Sequence, residues 1–459
     1  MKLSERIHNY VLENREEILK DYFDILKIPS ISDTPDSYKA LQHIKSVYEK
    51  NGFSAELYED YLLSYFNDTA SHKIGLFAHA DVVPVDDKWT KTSPFEPKII
   101  DGNLFARGAL DDKSAVIISL YAMKAIKELS IPFDSSVVAF TGGNEEKSMH
   151  DIKNYAKSHT PPDFSLVLDA GFPVHYGDKG LLWITATKEE RLNDLVSLGG
   201  GSAYNIILGE AHARVKYSSE LYSELSGNKE LELTKGNGEI IIYAKGISNH
   251  GANPEGTINA GGIIISALLD ASSFDEGDKK KLSLLKALLR TYDGDCLGIK
   301  ASDSIFGETT ATNGIIDISN GKISFSLDIR HGNTYTQGEL ISLLRKNLAN
   351  EGFSIEIAKE GDACYTDVNN KYIQACLSAY REHTGSDKAP GISVGSTYLR
   401  YIPHSCEVGM TTKHFTCDLP TGHGNAHQPN ECINVEGFFE ALEIIIKMLI
   451  ECDKQKQIV

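Results

Sequence analysis

The sequence has no hydrophobic run long enough to cross a membrane. Its longest apolar stretch, residues 444–450, is interrupted by Lys447 and is far shorter than the roughly 20 residues that a membrane-spanning helix needs. The first residues contain no apolar core of signal-peptide length. We therefore expect a cytoplasmic protein without a membrane partner.

The sequence has few cysteines, and its basic residues are outnumbered by acidic ones. The seven cysteines form an odd set without a Cys-x-x-Cys motif, which favours a reducing compartment over a disulfide framework. Lys and Arg number 46 against 64 Asp and Glu, which gives a formal net charge of −18. Because such a surface repels polyanions, nucleic acid is not expected as a partner.

The length of 459 residues predicts two domains, because one hydrophobic core rarely supports so long a chain. Residues 4–28 show the pattern of one amphipathic helix, and 114–129 that of a helix packed on a sheet. The Gly/Pro-rich passage 171–180 suits a hinge. Beyond it, strand and helix patterns alternate, so we expect a second α/β unit over 183–362. The first unit then comprises 1–182 and 363–459.

Short apolar runs at 74–78, 137–140 and 164–168 read as buried strands. His79, the adjacent Glu145 and Glu146, and Asp169 stand at or just beyond the ends of these runs. Ligands gather at the carboxyl ends of strands in open α/β sheets. We therefore expect these side chains to form one polar site.

The same stretch contains Asp111 and Asp112 immediately before the helix at 114–129. A histidine combined with several carboxylates suits zinc, manganese or cobalt, so a metal site is predicted. In a turn, one of the two adjacent glutamates could bind metal while the other faces a substrate. Either aspartate could be a ligand.

Five motifs in a fixed order resemble those of one enzyme family. They are His79-Ala-Asp-Val-Val-Pro84, Arg107-Gly-Ala-Leu-Asp-Asp-Lys113, Glu145-Glu146, Leu168-Asp-Ala-Gly-Phe-Pro173 and His427-Gln-Pro-Asn-Glu431. Together they resemble the co-catalytic metallopeptidases grouped with aminoacylase, carboxypeptidase G and carnosinase, and within them the PepV-type dipeptidases. The resemblance implies an α/β fold, in which a mixed-sheet catalytic domain that binds two metals carries an inserted α/β lid.

The resemblance also implies a ligand set for two divalent ions, with zinc first and manganese or cobalt as alternatives. His79 and Asp169 would hold one ion, Glu146 and His427 the other, and Asp111 would bridge them. His423 is also near His427 in the sequence, but the Gln-Pro-Asn-Glu sequence that follows His427 selects the latter.

Further roles come from the same resemblance. Glu145 would be the general base, Asp81 would orient the His79 ring, and His250 in the lid would stabilise an oxyanion. Arg330, Asn205 and Thr397 would bind substrate. Arg330 ends a strictly alternating segment, 322–330, which places it on the polar face of a strand.

The implied activity is metal-dependent hydrolysis of dipeptides, with a small peptide as the partner. The sequence departs from the family pattern at Asn144, after Asn205, and in the glycine-poor loop before Thr397, and these departures concern substrate preference. Hydrolysis of tripeptides, β-alanyl dipeptides or N-acyl amino acids is an alternative, and an inactive metal-binding scaffold is another. The large insertion favours a monomer, with a homodimer as the alternative.

Overall fold

The computed structural model describes residues 2–86, 88–415, 417–420 and 422–456. The chain divides into a first unit, Met1–Asp178 with Tyr365–Val459, and a second unit, Lys179–Cys364. The second unit starts earlier than residue 183 because its strand Gly180–Glu189 begins inside the passage predicted as a hinge. That passage also contains the strand His175–Asp178, which belongs to the sheet of the first unit.

A mixed sheet forms the centre of the first unit. The predicted strands are confirmed as Lys73–His79, Ser136–Gly142 and Phe164–Ala170, which lie side by side in parallel. In order across the sheet the strands are Ser54–Leu57, Tyr61–Phe66, Ser136–Gly142, Lys73–His79, Phe164–Ala170, Ser405–Gly409, His175–Asp178 and Cys364–Tyr365, with Gly391–Ser393 also pairing with His175–Asp178. A small sheet elsewhere joins Lys98–Ile100, Asn103–Phe105 and Cys432–Asn434.

The helices of the first unit include the one predicted at 114–129, which spans Lys113–Glu128. They are Leu3–Glu13, Arg15–Leu26, Pro35–Lys50, Lys113–Glu128, His150–Ser158, Lys371–Thr384 and Val435–Gln455, with a 3-10 turn at Tyr398–Tyr401. The single helix predicted over 4–28 is wrong. Asn14 leaves the helical region (φ −99°, ψ 5°), and its side-chain Nδ2 donates to the Tyr10 carbonyl at 2.8 Å. Asparagine favours such local side-chain bonds over helix continuation.

Apolar burial explains why these helices pack on the sheet. Nearly every residue of Lys113–Glu128 is buried, as its uniformly apolar pattern predicts. The last helix, Val435–Gln455, buries a broad apolar face that includes Phe438 and Leu442. Each such side chain contributes about 1.5–3 kcal/mol when fully buried. This core fixes the ends of the parallel strands.

The second unit is built on an antiparallel sheet. Its strands lie in the order Leu231–Gly236, Glu239–Lys245, Glu210–Lys216, Leu195–Gly200, Ile316–Ser319, Lys322–His331, Gly180–Glu189 and Ser354–Gly361, with Thr310–Thr312 pairing with Lys322–His331. Ser302–Asp303 pairs with Gly307–Glu308, and Cys364–Tyr365 is a short strand at the boundary between the two units. The helices are Ser219–Leu225, Ala260–Asp270, Glu276–Leu288 and Gln337–Asn350, with a 3-10 turn at Asp295–Leu297. Alternate residues of the strands face these helices and form a separate core.

Within the described ranges, no helix combines the length and the apolar character that crossing a membrane requires.

Candidate active site

The parallel strands of the first unit bring the predicted side chains to one edge of the sheet. His79 pairs with Gly142, just before Glu145 and Glu146, and the strand that carries Asp169 lies on the other side of the His79 strand. All three strands run in the same direction, so their carboxyl ends meet. The structure thus brings His79, Glu146 and Asp169 into one cluster.

Asp111 lies at the centre of this cluster. Its Oδ1 is 3.1 Å from Nε2 of His79, and its Oδ2 is 3.1 Å from Nε2 of His427. Nε2 of His79 is also 3.9 Å from Asp169 Oδ2, and Nε2 of His427 is 2.9 Å from Glu146 Oε2. Asp111 therefore faces a different pair of potential ligands with each of its oxygens.

These five residues form two groups that could each hold a metal ion. His79, Asp111 and Asp169 are one group, and Asp111, Glu146 and His427 are the other. Within each group the ligand atoms lie within 4.8 Å of one another. Asp111 belongs to both groups, which is the arrangement expected of a bridging ligand between two ions.

The electrostatics of the cluster fit divalent cations. Burial, followed by the Asp111 charge, raises the pKa of both Asp169 and Glu146. Burial alone would raise the pKa of Asp111 as well, but hydrogen bonds from His427 and His79 hold it below its usual range. Several carboxylates buried together repel one another unless cations compensate them. Imidazole and carboxylate donors are suited to zinc, manganese and cobalt.

Asp112 has a different environment from Asp111. It is fully buried, and its Oδ2 accepts a hydrogen bond from the backbone N–H of His79 at 3.1 Å. Burial, followed by the Asp169 charge, raises its pKa well above the usual range. Asp112 thus supports the His79 backbone, and Asp111 is the aspartate that faces the candidate ligands.

Glu145 lies beside the two metal-binding groups but belongs to neither. It is 8% exposed. Burial raises its pKa well above the usual range; His79 opposes this shift and Asp169 adds to it. The two adjacent glutamates therefore occupy different environments. Glu146 contacts His427 within a metal-binding group, and Glu145 is outside both groups.

Asp81 has contacts beyond the predicted one with the His79 ring. The nearest acceptor for His79 Nδ1 is the backbone carbonyl of Asp81, at 3.0 Å, while the carboxylate oxygen is 3.4 Å away. The Asp81 carboxylate instead accepts the backbone N–H groups of Glu145 at 3.0 Å and Glu146 at 3.2 Å, and the Ser32 hydroxyl at 2.6 Å. Its main contact is thus with the glutamate turn, which the sequence did not indicate.

Glu431 and Asn430 are two further residues whose roles the sequence left unassigned. Buried Glu431 accepts the backbone N–H groups of Leu110 at 2.8 Å and Asp111 at 3.0 Å, and pairs with Arg107 at 2.7 Å. Glu431 therefore ties the Asp111 turn to the segment that carries His427. Buried Asn430 is 2.7 Å from Nδ1 of His423, which gives His423 a structural contact in this loop.

Comparison with known proteins identifies the family. Residues 75–451 match the Peptidase family M20/M25/M40. The chain belongs to this peptidase family. A protein of Staphylococcus saprophyticus, provisionally named a dipeptidase, is 25% identical over 96% of this chain and 97% of its own length.

Solved structures of M20 proteins share the fold. A metallo-carboxypeptidase of this family from Sulfolobus solfataricus has a TM-score of 0.61 at 18% identity, covering 95% of this chain and 99% of its own. Human carnosine dipeptidase 1 also has a TM-score of 0.61, at 14% identity, covering 99% of both chains. The predicted α/β architecture is confirmed.

In the second unit of this M20 chain, His250 lies beside Asn205. Nε2 of His250 is 3.4 Å from the Asn205 side-chain amide. The backbone N–H of Ala252 donates to Nδ1 at 3.2 Å, so an N–H group lies beside each ring nitrogen, with Ala252 at Nδ1 and Asn205 Nδ2 at Nε2.

Arg330 is buried rather than surface-exposed, although its strand alternates as predicted. Its Nε and Nη2 bond the two carboxylate oxygens of Asp328 at 2.8 and 3.1 Å. Asp328 is fully buried, and Arg330 is 3% exposed. The polar face of Lys322–His331 is thus part of the interior, and Asp328 is a partner that the sequence did not identify.

The Thr397 hydroxyl has a different use from the predicted contact with substrate. Thr397 is 7% exposed, its hydroxyl donates to Glu407, and the same oxygen accepts the backbone N–H of Leu399 at 3.2 Å. The hydroxyl proton of Thr397 is thus already used in a hydrogen bond to Glu407. The preceding residues Gly395 and Ser396 are more exposed.

Proposed function

We propose that this M20 peptidase hydrolyses dipeptides, using two divalent ions bound by His79, Asp111, Glu146, Asp169 and His427. The single observation that carries the proposal is the pair of metal-binding groups that share Asp111. The relative provisionally named a dipeptidase supports the choice of substrate. Zinc is the preferred ion, with manganese or cobalt as alternatives.

Two ions so placed would polarise the scissile carbonyl and lower the pKa of water. Glu145 takes a proton from the attacking water and returns it to the leaving amine. Its position outside both metal-binding groups supports this role, because a carboxylate that is not a ligand keeps its oxygens for proton transfer. Asp81 holds the backbone of Glu145 and thereby fixes the direction of its side chain.

We further propose that the second unit acts as a lid that supplies His250, Asn205 and Arg330 to the substrate. His250 would stabilise the oxyanion of the tetrahedral intermediate, and Asn205, which lies beside the His250 ring, would contact the substrate. The planar guanidinium of Arg330 would hold the substrate carboxylate. The buried fork between Arg330 and Asp328 supports a fixed guanidinium.

We also propose that the protein acts in the cytoplasm as a monomer. The seven cysteines, all within the described ranges, form no disulfide, which is the state that a reducing compartment maintains. The oligomeric state follows from light scattering of the purified protein, and a dimer at assay concentrations would contradict the proposal.

The test is a substrate panel assayed with defined metals. The protein is treated with a chelator, then reloaded separately with zinc, manganese or cobalt, and assayed on dipeptides, tripeptides, β-alanyl dipeptides and N-acyl amino acids. We expect activity only after reloading, about two ions per chain by metal analysis, and highest kcat/KM on dipeptides. Higher kcat/KM on another class would replace the substrate assignment, and full activity of metal-free protein would refute the metal site.

A further inference from the structure

Two carboxyl groups that the proposed chemistry does not use are buried next to one another in the first unit. Asp178 ends the strand His175–Asp178, and Glu407 lies in the strand Ser405–Gly409 that runs beside it. Both residues have no exposed surface. Two buried carboxylates cannot both remain ionised at close range without a large cost.

The hydrogen bonding of the pair requires one proton. Asp178 Oδ1 and Glu407 Oε2 are buried atoms without a donor from another group, and the Ser393 side chain hydrogen-bonds to the Asp178 carboxyl group. The two side chains hydrogen-bond to each other, which is possible only if one of them carries a proton. Burial raises the pKa of Glu407 well above its usual range, and the Asp178 charge raises it further. Glu407 is therefore the protonated member.

The other oxygens of the pair hold the loop that precedes the 3-10 turn. Asp178 Oδ2 accepts the backbone N–H of Thr397 at 3.2 Å, and Glu407 Oε1 accepts the Thr397 hydroxyl. The pair thus accepts hydrogen bonds from both the backbone and the side chain of Thr397. Thr397 therefore contacts one oxygen of each carboxyl group, and the Ser393 side chain is a further donor to Asp178.

Tyr398 connects this anchor to the candidate active site. Its hydroxyl donates to Asp151 at 2.5 Å, and Asp151 also accepts the backbone N–H of Asn144 at 2.9 Å. The Tyr398 ring packs edge-on against His79, with 6.4 Å between ring centroids. A shift of Thr397 would therefore move a ring that contacts a candidate metal ligand and a bond that holds the turn before Glu145.

We propose that Glu407 and Asp178 share one proton, and that this pair positions Thr397 and Tyr398 against His79 and the glutamate turn. The inference rests on the proposed function for its effect on catalysis, while the shared proton itself stands on the contacts above. Glu407 is a positioning residue, because it acts on the reaction through Thr397 and Tyr398.

The charges around the pair agree with one proton and one negative charge. The charged and titratable groups around it are Arg400, Asp169, His175 and Cys406. Arg400 opposes the effect of burial on the pKa of Asp178 and so favours its ionised form. Burial lowers the pKa of His175 and raises that of Cys406, which keeps both neutral. The shared proton is present below the raised pKa of Glu407 and is lost above it.

The test compares amide substitutions at the two positions. In Glu407→Gln the amide N–H replaces the shared proton, and the amide oxygen still accepts the Thr397 hydroxyl. Asp178→Asn preserves the pattern in the same way, with Glu407 now ionised as the acceptor. In the double variant the N–H and the hydroxyl of Thr397 need both amide oxygens as acceptors. The two amide NH2 groups then face each other, or one of them faces a Thr397 donor, so one donor always meets another donor.

The expected result is non-additive. Each amide variant should keep kcat/KM on a dipeptide within about threefold of wild type. The double variant and Glu407→Ala should lose at least about tenfold, because each leaves a buried polar group unsatisfied. Wild type should lose activity as alkaline pH removes the shared proton, and Glu407→Gln should lack this step because an amide does not titrate.

Two further measurements separate this proposal from the proposed function. Infrared difference spectra of the metal-loaded protein should show a carboxylic acid carbonyl band that Glu407→Gln removes, and thermal unfolding should show the same non-additivity without any substrate. A double variant as active and as stable as the single variants would overturn the shared proton. Unfolding effects without any change in kcat, KM or the pH profile would overturn the positioning role.

Discussion

Replacing Glu145 with glutamine is the sharpest test of the proposed chemistry. The substitution keeps the shape of the side chain, and the Asp81 carboxylate still accepts the backbone N–H of residue 145. An amide cannot accept a proton from water, so the proposed base is lost. Since Glu145 lies outside both metal-binding groups, metal content should be unchanged.

The magnitude follows from the role. General acid–base catalysis contributes typically ~10²–10⁴-fold, which corresponds to about 3–5 kcal/mol of transition-state stabilisation. Here one residue would both take and return the proton, so we expect a loss in kcat at the upper end of this range. KM should change little, because the proposed ligands that bind the substrate carbonyl through the ions remain.

The assay measures kcat, KM and bound metal on matched variants. Glu146→Gln is the control, because Glu146 lies 2.9 Å from His427 within a metal-binding group. Glu146→Gln should lose one ion, whereas Glu145→Gln should retain both and lose turnover. Loss of metal from Glu145→Gln with full metal in Glu146→Gln would reverse the assignment. Retained turnover in metal-replete Glu145→Gln would refute the base.

Three other substitutions test neighbouring contacts. Asp81→Asn should lower kcat at least about tenfold, since an amide N–H would face the backbone N–H of residue 145 or 146. Circular dichroism should show that the variant is still folded, and an unchanged kcat would contradict the proposed contact. Arg330→Ala should cost roughly 2–5 kcal/mol in kcat/KM on a free dipeptide and little on its C-terminal amide; equal losses on both would exclude carboxylate binding. The pKa of Asp151 is raised to about 6 by burial, so in chelated wild type its contribution to stability should fall by roughly 3 kcal/mol as pH rises from about 4 to 6. In Asp151→Asn, chemical denaturation should show a fall that is smaller by this amount, because only the other buried carboxyl groups still titrate, and an equal fall in both proteins would disprove the shift.

The sequence determined the elements and the chemical character of the site. Short apolar runs before His79, Glu145 and Asp169 predicted three strands, and the structure confirms them as parallel neighbours. This worked because hydrophobic periodicity and strand direction are local properties. The ordered motifs indicated the M20 family because ligand spacing in each motif is also local.

Only the tertiary structure decided which partners these residues have. The Asp81 carboxylate contacts the glutamate turn, Arg330 pairs with Asp328, and Glu407 meets Asp178. No spacing rule predicts such contacts, because they depend on which strands become neighbours and on how deeply the polar side chains are buried. The polar face of the strand that carries Arg330 is buried, which its sequence pattern did not indicate. The sequence thus determined the kinds of groups at the site, and packing decided their contacts and charge states.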